Sequence, residues 1–350
     1  MTGADIPLSS YRPISQARVP VTSVERARLP AVDAHTHLGR WLTEDGDWMV
    51  RDVPALVDMM DRLGLRGMVN LDGRWGRELA ANLERYDAAH PGRFATFCHV
   101  DWSATTGPGF GERLAAQLRA SVAEGAAGLK VWKDVGLRVR DHRGELVMLD
   151  DERLAPLWAT AGELGVPIAL HTADPVAFFQ PADERNERLE QLTARPDWAF
   201  HGPGCPPFER LIEAMEAMVA AHPATTVIGV HAGCWPENLG WVGRMLDEYP
   251  HFHIDIAARL AELGRVPRAA RALLLRHPGR VLFGTDEIPP DPRVYRIHFR
   301  FLETADEAFA HSLEDPPLMG RWTISGLDLP EEVLSRVYAA NALRLVPRLA

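Results

Sequence analysis

Ala31-Val32-Asp33-Ala34-His35-Thr36-His37 is a short apolar run that leads directly into two histidines. Side-chain direction repeats every two residues along a strand, so His35 and His37 project from the same face. Two imidazoles at this spacing can chelate a divalent cation, although the pair alone does not establish a metal site. Later strand-like segments end in residue types that would complete such a shell, namely His171, His231 and Asp286.

Around this stretch, short segments rich in apolar and β-branched residues alternate with longer amphipathic ones. The predicted strands are Ala31–His35, Gly67–Leu71, Phe94–Val100, Gly128–Trp132, Pro167–His171, Thr226–His231, Phe252–Ile256 and Val281–Thr285. The predicted helices between them are Val53–Leu63, Arg77–Ala89, Gly111–Ala123, Asp151–Leu164, Phe208–Ala221, Leu239–Tyr249 and Pro267–Arg276. This alternation indicates an α/β fold built from parallel βαβ units, and eight repeats predict a closed (β/α)8 TIM barrel. A doubly wound open sheet is the alternative, but no glycine-rich phosphate loop follows the first strand.

Two connections are longer than a minimal barrel needs. Residues 172–207 follow the predicted fifth strand, and residues 287–330 follow the eighth. Because the βα loops of a barrel cover its active-site face, the first of these extended loops is expected to form a lid or a substrate wall. We expect an N-terminal arm, residues 1–28, followed by a single metal-dependent barrel domain, residues 29–350, which ends in a helix at Pro330–Leu345.

Residues that can do chemistry lie at the ends of several predicted strands. In a (β/α)8 barrel the carboxyl ends of the strands meet at one mouth, so residues far apart in sequence converge there. Each member also has a structural interpretation: a single strand-end histidine such as His231 is often a hydrogen-bonded packing residue. The converging residues are His35, His37, Lys130, His171, His231 and Asp286.

With these motifs the chain resembles the amidohydrolase superfamily, in the amidohydrolase-related branch that includes aminocarboxymuconate-semialdehyde decarboxylase, resorcylate-type decarboxylases and some hydrolases. The resemblance spans nearly the whole chain. Its most specific parts are the paired histidines at the start and the Gly-Thr-Asp after the eighth strand. The matching stretches are Val32–Leu38, His171-Thr172-Ala173-Asp174, His231-Ala232-Gly233, Phe283-Gly284-Thr285-Asp286 and Asn341-Ala342.

The resemblance implies a ligand set and two catalytic groups. His35, His37, His171 and Asp286 would hold one divalent ion, most often zinc and sometimes manganese, with an open position for water or substrate. His231 would act nearby as an acid, a base or an orienting group. Asp286 would combine ligation with proton transfer.

The remaining candidates concern the substrate. Lys130 is ambiguous: some amidohydrolases carboxylate a lysine in the fourth strand to bridge two metals, whereas a buried ion pair or a substrate contact is the simpler interpretation. An arginine near the mouth can bind a carboxylate through two hydrogen bonds, and aromatic rings can stack on a planar substrate. Surface charge and loop packing are the structural alternatives. The candidate substrate contacts are Arg74, Trp41, Lys130, Trp132 and Phe178.

Composition limits the class of protein. The chain has 350 residues with 38 basic and 48 acidic side chains, a net charge of −10, and no basic run, which argues against nucleic-acid binding. No window resembles a membrane span or a secretory signal, so we expect a cytoplasmic protein. Three cysteines cannot form a disulfide framework. The partner expected is a small-molecule substrate, and the resembled decarboxylases suggest a homodimer.

Three functions remain open from the sequence. The first is hydrolysis of a small organic substrate, such as an amide or a lactone, by a metal-activated water. The second is non-oxidative decarboxylation of a small, aromatic or unsaturated, carboxylic acid at the same metal. The third, a catalytically silent binding barrel, predicts a disrupted ligand set, yet every expected ligand type is present.

Overall fold

Eight parallel strands form the centre of the molecule, and helices alternate with them along the chain. The computed structural model describes residues 5–7, 10–11 and 13–350. The strands pair in chain order from β1 to β8, which confirms the predicted (β/α)8 barrel. They are β1 (Ala31–Thr36), β2 (Leu65–Asn70), β3 (Phe94–Cys98), β4 (Gly128–Val131), β5 (Ile168–Leu170), β6 (Val227–Gly229), β7 (Phe252–Asp255) and β8 (Val281–Leu282).

The barrel closes between its first and last strands through two backbone hydrogen bonds. The amide of Ala34 donates to the carbonyl of Phe283, and the amide of Asp286 donates to the carbonyl of His35, each at 2.9 Å. Gly284 lies between these bonds, where a Cβ atom would stand 2.9 Å from the Cβ of His35. The segment after β8 therefore lies directly against the histidine-bearing end of β1.

The helices follow from local sequence signals. In the first, Val53–Leu63, the Asp52 side chain accepts a hydrogen bond from the amide of Ala55, and Gly64 ends the helix with φ of 78°. Leaving out helical turns of four residues, the other α-helices are Gly76–Asn82, Phe110–Glu124, Ala155–Leu164, Leu189–Ala194, Phe208–Ala221, Leu239–Glu248, Leu260–Arg265, Pro267–Arg276, Pro292–Glu303, Glu331–Ser335 and Asn341–Leu345.

Some predicted boundaries differ from the structure. The predicted helix Arg77–Ala89 continues beyond Asn82 in wider π turns, and the terminal helix contains a similar π segment at Arg336–Ala340. The predicted sixth strand ends at Gly229, because the backbone of His231 turns into the left-handed region with φ of 58°. The eighth strand is also shorter than predicted.

Both long connections carry structure of their own. Residues 172–207 contain the short helix Leu189–Ala194, and residues 287–330 contain the helix Pro292–Glu303. The extended loops predicted after the fifth and eighth strands are therefore confirmed.

The end of the predicted N-terminal arm contacts the barrel: the amide of Arg28 donates to Glu303 at 2.8 Å. Residues 1–4, 8, 9 and 12 of that arm lie outside the described residues, and the boundary at residue 28 stays a prediction. Across the described ranges, no helix is both long and apolar enough to cross a membrane.

Candidate metal centre

Three histidines surround one carboxylate at the carboxyl end of the barrel. His35 and His37 come from the end of β1, His231 follows β6 and Asp286 follows β8. Oδ1 of Asp286 lies 3.5 Å from Nε2 of His35 and 3.2 Å from Nε2 of His37. Its Oδ2 lies 3.9 Å from Nε2 of His231. The three ring nitrogens therefore converge on Asp286.

Two buried carboxylates accept hydrogen bonds from the rings of His35 and His37, on the side of each ring that faces away from Asp286. Nδ1 of His35 donates to Asp255 at 2.8 Å, and Nδ1 of His37 donates to Asp72 at 2.6 Å. Because a carboxylate accepts these bonds, each ring presents the lone pair of Nε2 to the centre when a cation is bound. The sequence pattern alone does not identify either carboxylate as a partner of a histidine. The available signal was that Asp255 lies in a predicted strand and Asp72 directly follows one.

The electrostatics of the cluster fit a cation. Burial opposes protonation of His37, but Asp72 and Asp286 outweigh it and raise the pKa of His37 to about 9. Burial would raise the pKa of Asp286, yet His35 and His37 hold that pKa well below its usual range. Nε2 of His35 is buried and makes no hydrogen bond to any described residue. One ligand atom from each of His35, His37 and Asp286 can be chosen so that all lie within 4.8 Å of one another.

His171 lies beside this cluster with a different orientation. Its ring centroid is 4.6 Å from that of His231, but its Nε2 lies 3.3 Å from Oδ1 of Asp174. Asp174 in turn pairs with Lys133. Burial lowers the pKa of His171 to about 3, so the ring is neutral. Its role as the remaining ligand stays a prediction.

The backbone around His231 fixes its ring. The amide of His231 donates to Oδ1 of Asp255 at 2.7 Å, and its Nδ1 donates to the carbonyl of Ala257 at 2.9 Å. Burial lowers the pKa of His231 well below its usual value, and the neighbouring guanidinium of Arg259 adds to the effect. His231 is therefore a neutral ring whose Nε2 faces the centre.

Asp33 ties the first strand to the last. It accepts hydrogen bonds from the amide of His35 at 3.0 Å, from both the amide and the hydroxyl of Thr285, and from the hydroxyl of Tyr295 at 2.7 Å. Full burial raises the pKa of Asp33 to about 6, despite these donors. Its position explains why the aspartate precedes the paired histidines: it holds His35 and the Thr285-Asp286 segment in register.

The predicted substrate contacts on the β1–β4 side form an aromatic wall. Trp132 lies 5.3 Å from the ring of His37 and 4.8 Å from that of Trp41, between ring centroids. Trp41 donates its indole hydrogen to Asp72 at 2.6 Å. The guanidinium of Arg74 lies 5.1 Å from the ring of Trp41. Lys130 is fully buried with its Nζ 5.2 Å from the ring of Trp132, and burial lowers the pKa of Lys130.

Phe178 lies in a separate apolar layer. It is buried and stacks on Trp198 at 6.0 Å, and its carbonyl accepts the amide of Phe200 at 2.7 Å. These contacts are internal to residues 172–207. A substrate contact for Phe178 stays a prediction.

A cavity of about 440 Å³ opens beside Asp286, and none of the predicted substrate contacts lines it. The loop after β7 and residues 287–319 line it, including Leu260, Glu287, Arg293, His298 and His311. Burial raises the pKa of Glu287 to about 7, with nearby acidic side chains adding to the effect. A larger cavity of about 650 Å³, around Phe110 and Asp141, shares no lining residue with the histidine cluster.

Comparison with known proteins identifies the family of the chain. The amidohydrolase family model matches residues 32–348. No curated protein matches the chain.

Several solved structures share the fold. One is 2,6-dihydroxybenzoate decarboxylase from Rhizobium, with 17% identity, 91% of this chain and 99% of that chain covered, and a TM-score of 0.58. Another is dihydroxybenzoic acid decarboxylase from Polaromonas sp. JS666 with bound manganese and 2-nitroresorcinol, with 16% identity, 91% and 97% covered, and a TM-score of 0.58. A third is an amidohydrolase from Burkholderia multivorans with bound zinc, with 16% identity, 91% and 99% covered, and a TM-score of 0.53.

Proposed function

The chain belongs to the amidohydrolase family, a family of metal-dependent enzymes, and we propose from that premise that it hydrolyses an amide, a lactone or a related bond of a small organic molecule. The orientation of His231 carries this proposal. Nδ1 of His231 donates to the carbonyl of Ala257, so Nε2 carries the lone pair and faces Asp286. A neutral base in this place suits removal of a proton from water.

The residues that would hold the ion are His35, His37, His171 and Asp286. Imidazole nitrogens and one carboxylate suit zinc, and manganese accepts the same donors. When bound, the ion lowers the pKa of water and polarises a substrate oxygen. Two of the solved neighbours contain manganese or zinc, which supports a divalent ion of this kind.

The proton path uses groups that the structure already orients. His231 accepts the proton of the attacking water at Nε2 and returns it to the nitrogen or oxygen that leaves. The hydrogen bonds from its Nδ1 to Ala257 and from its amide to Asp255 keep the ring from rotating. Asp286 offers negative charge close to Nε2, which stabilises the ring while it carries the extra proton.

Decarboxylation is the second candidate. The same ligand set can hold a carboxylate and an adjacent oxygen, and two of the neighbours are decarboxylases of dihydroxybenzoates. That reaction needs an acid that protonates carbon, whereas the bond from Nδ1 of His231 to the carbonyl of Ala257 favours a base at Nε2. A catalytically silent barrel is the least supported candidate, because the buried carboxylates Asp72 and Asp255 hold His37 and His35 with their Nε2 atoms towards the centre.

A paired assay tests the proposal. Zinc-reconstituted protein is offered a panel of lactones, amides and hydroxybenzoates, and acid production and carbon dioxide release are followed separately. We expect hydrolysis, and His231→Ala should retain its metal while losing about 10²- to 10⁴-fold in kcat. The control is His142→Ala, an exposed histidine at the unrelated cavity. Carbon dioxide release without any hydrolysis would favour the second candidate, and an unchanged rate in His231→Ala would contradict its assigned role.

Cytoplasmic location, zinc as the resident ion and assembly as a homodimer belong to the same proposal. Size-exclusion chromatography with light scattering measures the assembly state.

A further inference from the structure

The cavity beside Asp286 combines apolar walls with two buried histidines. Its volume of about 440 Å³ is ordinary for a pocket that holds a small organic molecule. The two histidines in its wall, His298 and His311, have exposed fractions of 3% and 8%. Much of the remaining wall is apolar, with Leu260, Ala261, Val294, Leu313 and Met319. The space next to the metal centre can therefore take a largely apolar group that carries a few polar atoms.

Each of these histidines has one ring nitrogen with a free lone pair. Nδ1 of His298 donates to the carbonyl of Val294 at 3.0 Å, one turn earlier in the same helix, so Nε2 carries the lone pair. This Nε2 is buried and has no hydrogen-bond partner among the described residues. Nε2 of His311 donates to the carbonyl of Gly320 at 3.0 Å, which leaves the lone pair on Nδ1. Burial lowers the pKa of His298 to about 4 and also lowers the pKa of His311, so both rings are neutral acceptors.

The charged side chains of the cavity leave negative charge uncompensated. Glu287 is half-buried in the lining, and no cation of the described residues lies within ion-pair distance of its carboxylate. Arg293 is already used, because its Nε and Nη2 donate to Asp291. Asp286 is committed to the ion. The lining therefore offers acceptors and negative charge, which disfavours an anionic ligand and favours a cation that carries hydrogen-bond donors.

We propose that this cavity binds a protonated amine of the substrate, with Nε2 of His298 as a hydrogen-bond acceptor and Glu287 as the counter-charge. An ammonium group has three donors and no acceptor, so it matches a lining of this kind. The apolar walls would hold the carbon atoms that join the amine to the bond at the metal centre. This inference rests on the proposed function, and it narrows the substrates to small amines that also contain a hydrolysable bond.

Isothermal titration calorimetry on zinc-loaded protein tests the subsite with three probes that share a phenyl ring: benzylammonium, neutral benzyl alcohol and anionic phenylacetate. We expect the wild type to prefer benzylammonium over both others. Glu287→Gln should retain its zinc, weaken benzylammonium binding by about 10- to 100-fold, the value of a charge-assisted hydrogen bond, and leave benzyl alcohol unchanged. The control is Glu307→Gln, an exposed carboxylate of the same long connection that does not line the cavity.

Two substitutions separate the acceptor role of His298 from its packing against Phe283. His298→Phe keeps a planar ring without the acceptor and should weaken benzylammonium binding by about tenfold, the value of one hydrogen bond. His298→Gln offers an amide oxygen as acceptor and should recover part of that loss. A purely structural role would lower the melting temperature and weaken all three probes equally, which would overturn the proposal.

Two further results would overturn the proposal. One is a wild type that binds benzyl alcohol or phenylacetate at least as tightly as benzylammonium. The other is benzylammonium binding within about twofold of the wild type in either Glu287→Gln or His298→Phe, which is also the result expected if the zinc held the amine. Because binding of these probes requires no turnover, a failed hydrolysis assay would leave the result separately readable.

Discussion

Nδ1 of His35 lies 2.8 Å from Oδ2 of Asp255, and this bond decides which nitrogen of His35 faces Asp286. The other oxygen of Asp255 accepts the amide of His231. One buried carboxylate therefore orients both a proposed ligand and the proposed base.

Asp255→Asn should weaken both metal binding by His35 and catalysis by His231. The amide can present its NH2 group to Nδ1 and so favour the wrong tautomer of His35. We expect metal affinity to fall by about 10- to 100-fold, as for other partners of metal-bound histidines, together with a loss of kcat. Competition with a fluorescent chelator measures the affinity. The control is Asp247→Asn, in the surface pair with Arg276; equal affinities in both variants would contradict the assigned role of Asp255.

Gly284→Ala should disturb the metal centre without touching a ligand. An added methyl group would stand 2.9 Å from Cβ of His35 and 3.3 Å from Cβ of Ala257, closer than packed carbon atoms tolerate. We expect β1 and the Asp286 segment to separate and the bound metal to decrease. Gly279→Ala, where a Cβ would meet nothing within 4 Å, is the matched control. A Gly284→Ala variant that keeps full metal content would show that the close approach is not required.

Metal binding should release a proton from His37. In the metal-free protein, Asp72 and Asp286 raise the pKa of His37 to about 9, so the ring is protonated at pH 7.5. A bound cation takes the place of that proton, so apparent affinity should rise with pH and level off above the pKa. Calorimetry in buffers of different ionisation enthalpy should count about one proton per ion from this group. Uptake that is independent of pH between 6.5 and about 9 would contradict this account.

The buried pair of Arg188 and Glu262 should contribute strongly to stability. It joins the connection after β5 to the helix Leu260–Arg265, and both side chains have exposed fractions near 1%. Glu262→Gln would leave the buried guanidinium of Arg188 without its ion-pair partner, which should cost about 3–5 kcal/mol in the free energy of unfolding. Urea denaturation measures this change in the free energy of unfolding. Arg265→Gln, which breaks a more exposed pair with Glu187, should cost far less.

Local signals predicted much of the fold and part of the site. Short stretches of sequence predict the alternation of strands and helices, and all eight predicted strands occur near their expected positions. His35, His37, His231 and Asp286 converge because strand ends of a parallel barrel share one face. Predicting that these residues converge requires only the order of the strands and helices, and no knowledge of how side chains pack.

Contacts between elements that are distant along the chain could not be predicted from the sequence. Asp72 and Asp255 support histidines of another strand, and these contacts can be recognised only in the packed structure. The orientation of His171 towards Asp174 depends in the same way on Lys133. The sixth strand ends earlier than predicted because His231 adopts a left-handed backbone angle, with φ of 58°, and Asp286 has a similar φ of 59°. Such strained positions cost about 1–3 kcal/mol and cluster at active sites.

The metal content of purified protein tests the central claim most directly. Inductively coupled plasma mass spectrometry should find about one divalent ion per chain in the wild type, and a small fraction of that in His37→Ala and His171→Ala. Wild-type protein without stoichiometric metal, or unchanged content in His37→Ala, would contradict the assignment of the centre. About two ions per chain, with a carboxylated Lys130, would contradict the single-ion site.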